Sequence, residues 1–129
     1  NGEPARKLST WKKKIARTWS NVVIRKISEP VKQIKSGSAL PVKVAVNLQD
    51  LSADDIIVEC LVGQENQTGN FILNTHKIFE AKEKKDQKET IFELDLKTDL
   101  PGLQIFKIRM YPSHDLLSHR FETGLMKWL

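Results

Sequence analysis

The chain has 129 residues, enough for one domain with a real core and too few for two comfortable ones. Its 40% hydrophobic and 29% charged residues are ordinary for a globular domain; no apolar run approaches the roughly 18 residues of a membrane helix, and no signal-peptide pattern opens it. The net charge of +5 is uneven: residues 5–28 hold eight basic side chains and no acidic one, against 13 basic and 15 acidic in residues 29–129.

Residues 1–21 read as a basic amphipathic helix, with Leu8, Trp11, Ile15, Trp19 and Val22 on one stripe and Ser9 or Thr10 as the cap. At about 12–14 residues such a helix is marginal alone, so its tryptophan stripe must dock. The basic face offers Lys12, Lys13, Lys14 and Arg17 to an acidic partner. Residues 22–129 then switch to strand periodicity. Val22–Ile27 is a candidate strand, broken near Glu29-Pro30, and Ser36-Gly37-Ser38 is a turn. Leu40, Val42, Val44, Val46 and Leu48 alternate with polar or small residues, as do Ile56, Val58, Cys60 and Val62, with Glu59 expected to point outward. Gly63–Asn70 is a polar turn that includes the sequon-like triplet Asn66-Gln67-Thr68, and Phe71–Phe79 is an irregular extended run. Glu80–Glu89, a block of mixed charge, reads as a mobile hairpin tip. Phe92, Leu94 and Leu96 mark another strand. Asp99-Leu100-Pro101-Gly102 is a turn with Pro fixing φ and Gly accepting its positive value.

Phe106, Ile108 and Met110 mark the last strand, ended by Pro112, which cannot donate to a ladder. The tail beyond it is dense in Leu116, Leu117, Phe121, Leu125, Met126, Trp128 and Leu129 and is expected to be ordered and buried. Short strands spaced by turns, with no helical pattern between them, predict a mainly β fold: an immunoglobulin-like antiparallel sandwich with a basic helix in front.

No catalytic constellation stands out. His114 and His119, with Asp115 and Glu122 nearby, match no established metal-ligand spacing, so no metal is expected. Cys60 sits in the apolar run IIVECLV and reads as core, not as a nucleophile. A lone cysteine also rules out an internal disulfide framework and suits a reducing, cytoplasmic setting. No phosphate-cradling glycine loop or paired-carboxylate motif occurs, so neither catalytic nor cofactor-binding residues are expected. Lysines interleaved with Trp11 and Trp19 suggest nucleic acid, but the tryptophans stand at core-facing spacing and no recognised motif accompanies them. A stand-alone module for carbohydrate or polyanions, with Trp11, Trp19, Tyr111 or Trp128 as sugar platforms, is the competing reading.

The end of the chain carries a denser signal. Arg109, Pro112, His114, Leu116, Leu117, His119, Phe121, Glu122, Gly124, Leu125, Trp128 and Leu129 stand in a pattern that resembles the C-terminus of bacterial-type α-glucan (glycogen) phosphorylases. Asp115 and Arg120 depart from it, at positions where that pattern has proline. The basic Trp-containing helix and the segment Leu51-Ser52-Ala53-Asp54-Asp55-Ile56 are compatible with the same family. The resemblance implies a parent glycosyltransferase that cleaves α-1,4-glucans with phosphate to give glucose 1-phosphate. It further implies that pyridoxal phosphate and the lysine that carries it belong to an upstream region. This chain, starting at Asn1, would be a non-catalytic piece of that enzyme, with the upstream catalytic region as its partner and α-glucan as a further ligand.

Overall fold

The computed structural model describes residues 2–27, 33–35, 37–84, 88–97, 99 and 101–129. A helix α1 (Glu3–Thr18) and a 3-10 turn (Trp19–Asn21) lead, among the described residues, into the strands β1 (Val23–Lys26), β2 (Gln33–Lys35), β3 (Ala39–Asn47), β4 (Ile56–Glu65), β5 (Phe71–Ile78), β6 (Glu80–Lys84), β7 (Glu89–Lys97), β8 (Leu103–Pro112) and β9 (Lys127–Trp128). All pairings are antiparallel. One sheet runs β1-β3-β7-β6 and the other β2-β8-β4-β5, with β9 sharing β8's outer edge with β2.

The period-2 alternation decides which side chains meet between the sheets. Val42, Val44, Val46, Phe92 and Leu96 from the first sheet are buried in one cluster with Val58, Cys60, Val62, Phe106, Ile108 and Met110 from the second. Helix α1 adds Ile15, and the turn after it adds Trp19 and Val22, to that same cluster. Each such aliphatic side chain, fully buried, stabilises the fold by about 1.5–3 kcal/mol. The tryptophan stripe is thus what holds a marginal helix in place.

Several expectations need correction. The helix has 16 residues and starts at Glu3, with Pro4 in its first turn and Gly2 as N-cap. Ser9 and Thr10 therefore lie inside it and cap nothing. Proline at the helix start costs no hydrogen bond and presets φ, which is why the helix begins before either hydroxyl residue. Glu80–Lys84 is a strand paired with β7, not a tip, and residues 85–87 lie outside the described residues, as does the break at Glu29-Pro30. Phe71–Ile78 is a regular strand whose irregularity is confined to a bulge where Val62 and Gly63 of β4 meet it. Glu59 does point to the outer face, yet is fully buried. The tail is ordered but only partly covered: Leu116, Trp128 and Leu129 are exposed, Trp128 by 53%.

Candidate functional site

Glu59 sits in the middle of β4, directly opposite Arg109 of β8 in the ladder and between the inward-facing Val58 and Cys60. Residues paired across a ladder share a face and come within reach of each other. The Arg109 Nε donates to Glu59 Oε1 at 2.6 Å. The other oxygen accepts from Arg120 Nη1 at 3.0 Å, and His76 Nδ1 lies 2.8 Å from it. Arg120 belongs to the tail, so this carboxylate fastens the C-terminal segment to the outer face of the second sheet.

Rings close the cluster. Phe121 meets Tyr111 edge-on, with centroids 5.0 Å apart, and lies between the guanidinium groups of Arg109 (4.9 Å) and Arg120 (4.5 Å). Trp128 pairs with Arg109 in the ladder, its ring 5.7 Å from that guanidinium. Gly124 takes φ +71°, a conformation that favours glycine, and its N–H closes a turn onto Phe121 O at 3.0 Å.

Two further carboxylates fasten helix to tail. Asp55 Oδ1 accepts from Trp11 Nε1 at 3.0 Å, while its other oxygen accepts from the backbone N–H of Ser52 at 2.9 Å in a reciprocal capping box. The backbone N–H of Ser113 in turn donates to the Asp55 carbonyl at 2.8 Å, where β8 ends at the buried Pro112. Glu122 accepts from Lys12 of the helix and from the backbone N–H of Ser118. The Lys12 hydrogen bond above all, then that N–H, holds the Glu122 carboxyl down to about 2. Lys127 donates to the carbonyl of Val22 just past the helix.

The sequence-predicted residues therefore divide. Arg109, Phe121 and Trp128 gather at Glu59, with Gly124 in the turn after Phe121, while Glu122 and His114 serve the helix–tail contact. Glu122 binds Lys12, and the His114 ring lies tilted against Trp11 with centroids 4.8 Å apart, its Nδ1 accepting from Leu116 N–H. His119 is exposed and contributes its carbonyl to a turn with Glu122 N–H. On the helix, Lys12 is engaged internally, Lys14 is half-buried, and Lys13 and Arg17 are exposed. Sequence reasoning missed Glu59, although the signal was there: a lone carboxylate in an apolar strand and a lone arginine between Ile108 and Met110. It also missed Arg120, which the family pattern marked only as a departure.

Among the described residues, no group of three or more His, Cys, Asp or Glu is placed to hold a metal ion. Burial pushes the Cys60 thiol up to about 12, far from the range of a thiolate nucleophile. Pyridoxal phosphate needs a desolvated lysine amine beside a cradle for its phosphate. No described lysine is buried, and Lys12, Lys77 and Lys127 are engaged by Glu122 and by backbone carbonyls. These residues do not fit the cofactor.

No helix among the described residues is long and apolar enough to cross a membrane. A maltodextrin phosphorylase of Thermococcus litoralis is 29% identical over 128 residues, a match that covers 95% of this chain and 14% of the relative. A family model described as the glycogen phosphorylase C-terminal domain matches residues 19–129, taking in the whole sandwich and its tail. The chain belongs to the glycogen phosphorylase C-terminal domain family.

Proposed function

We propose that the chain serves as a non-catalytic accessory domain of an α-glucan phosphorylase. The parent enzyme, in this reading, is a cytoplasmic glycosyltransferase that releases glucose 1-phosphate from α-1,4-glucans, using pyridoxal phosphate held by its upstream catalytic region. That same region is the domain's partner, and Lys13, Lys14 and Arg17 meet carboxylates on it, with Lys12 fixing the helix to the tail. One observation supports the reading most. Two polar residues of the family-like motif bind this domain itself: Arg109 holds Glu59, and Glu122 holds Lys12. Residues that turn inward to fasten a domain are not free to face a substrate.

The chain by itself, incubated with maltodextrin or glycogen and phosphate, is expected to give no glucose 1-phosphate above buffer. Turnover that stays with the chain through repurification and vanishes with a Glu59→Ala or Glu122→Gln variant that still folds would overturn the proposal.

A further inference from the structure

The tail covers only one end of the second sheet's outer face. At the far end, Gly63 of β4 stands opposite Leu73 of β5 on one side and Ile105 of β8 on the other, and the next pairs out are Glu65 with Phe71 and Leu103 with Lys35. A Cβ at Gly63 would come within 2.8 Å of the Phe71 ring, so that ring lies across the glycine. Leu73 is 52% exposed and Leu103 47%, while Phe71 and Ile105 are half-buried. The Lys107 ammonium sits 4.6 Å above the Phe71 centroid. The result is an apolar surface trough, floored by the Phe71 ring over the buried Gly63, with lysines on its rim.

The adjoining edge is equally open. Strand β5 ends its sheet, with no partner strand on its outer side among the described residues, and carries the exposed Ile72, Leu73 and Ile78. Proteins that leave such an edge in water blunt it with lysine or proline. Here the one lysine, Lys77, turns to the carbonyl of Lys97 instead. Contiguous apolar surface rimmed by charge marks an interaction site.

We propose that this trough and the β5 edge are the surface on which the catalytic region of the parent phosphorylase seats the domain, an inference that rests on the accessory-domain reading. Two observations select that occupant. The chain covers 14% of its Thermococcus litoralis relative, whose remaining length is the surface available beside such a domain. Among the described residues the rim carries Lys35 and Lys107 against Glu65, which suits a partner face that is apolar with carboxylates around it and disfavours a second copy, which would bring lysine against lysine. The contact lies at the opposite end of β4 from Asp55 and helix α1, so it is separate from the basic helix face.

Hydroxyl-radical footprinting of the full-length phosphorylase against the isolated 129-residue chain, whose core closes without outside residues, tests this. Oxidation of Phe71, Leu73 and Leu103 is expected to fall severalfold in the full-length protein. The L73E variant is expected to restore oxidation of Phe71 and Leu103 and to let limited proteolysis release the domain, without lowering the isolated chain's own melting temperature. Equal oxidation in both proteins overturns the inference, and so does protection that appears in the isolated chain as its concentration rises, which would make a second copy the occupant. Glucose 1-phosphate release by the same full-length sample separates the two readings. Active enzyme with an unprotected trough sinks only the docking surface, whereas a full-length protein that cannot phosphorolyse glucans sinks the accessory-domain proposal itself.

Discussion

A carboxylate on the outer face of a strand normally stays wet, and Glu59 does not because Arg109 faces it across the ladder and Arg120 reaches it from the tail. Alternation correctly put Glu59 on the outside; it could not tell that Arg120, 61 residues further on, returns to cover that face. The balance at this site is asymmetric. Removing one member of a buried ion pair typically costs about 3–5 kcal/mol, because the other is left uncompensated. Arg109 is the member at risk, its side chain only 13% exposed, whereas Arg120 is 47% exposed and contributes at most about 1 kcal/mol. Glu59→Ala is therefore expected to lower stability by about 3–5 kcal/mol and Arg120→Ala by about 1 or less. The double replacement Glu59→Leu with Arg109→Met is expected to recover most of the loss, since an apolar pair of similar volume needs no compensation. Urea midpoints of the three proteins decide the matter, and an unaltered midpoint for Glu59→Ala would show that the pair does not stabilise the fold.

At the scale of elements, helix α1 and the C-terminal tail were each legible as segments needing a surface, but not as each other's partner. Of the stripe Leu8, Trp11, Ile15, Trp19 and Val22, the last three enter the core and Trp11 packs against it, whereas Leu8 lies outside that cluster. The residues that join helix to tail, Lys12 with Glu122 and Trp11 with Asp55 and His114, are polar or long-range and leave no periodic trace. Their pairing has a pH signature. Glu122 is held at about 2, below its ordinary value of 4.5, by Lys12 and the Ser118 N–H. A folded-state pKa lowered in this way contributes stability that is fully present above the ordinary value and is lost as pH falls through the folded value. The helix–tail contact is thus expected to weaken between pH 4.5 and about 2. Other carboxylates titrate in that window too, so the useful quantity is the difference between the parent chain and Lys12→Met. The stability gap between them should narrow as the pH drops through the window, read from denaturation midpoints. A gap constant with pH would mean that Lys12 does not govern Glu122.

For the molecule as a whole, composition and alternation were enough for two antiparallel sheets, because β3, β4, β7 and β8 each carry an apolar face at period two, whereas β5 does not. Short strands such as Gln33–Lys35 escaped, since three residues set no period. The tail was over-read: its apolar density implied burial throughout, yet Trp128 lies on an outer edge with half its surface in water, whereas Trp19 is 6% exposed at the centre of the cluster. The two tryptophans therefore test how far the molecule is one cooperative unit. Ile15, Trp19 and Val22 pack in the same cluster as both sheets, so helix and sandwich should unfold together. Trp19→Ala is expected to cost about 3–5 kcal/mol, as for a core tryptophan. It should lower the far-ultraviolet and near-ultraviolet circular dichroism midpoints by the same amount. Trp128→Ala, losing a ring already half in solvent, is expected to cost clearly less than Trp19→Ala in the isolated chain. If Trp19→Ala instead splits the transition, with helical signal lost before the aromatic signal of the sandwich, the helix is an appendage and the core is closed by the strands alone.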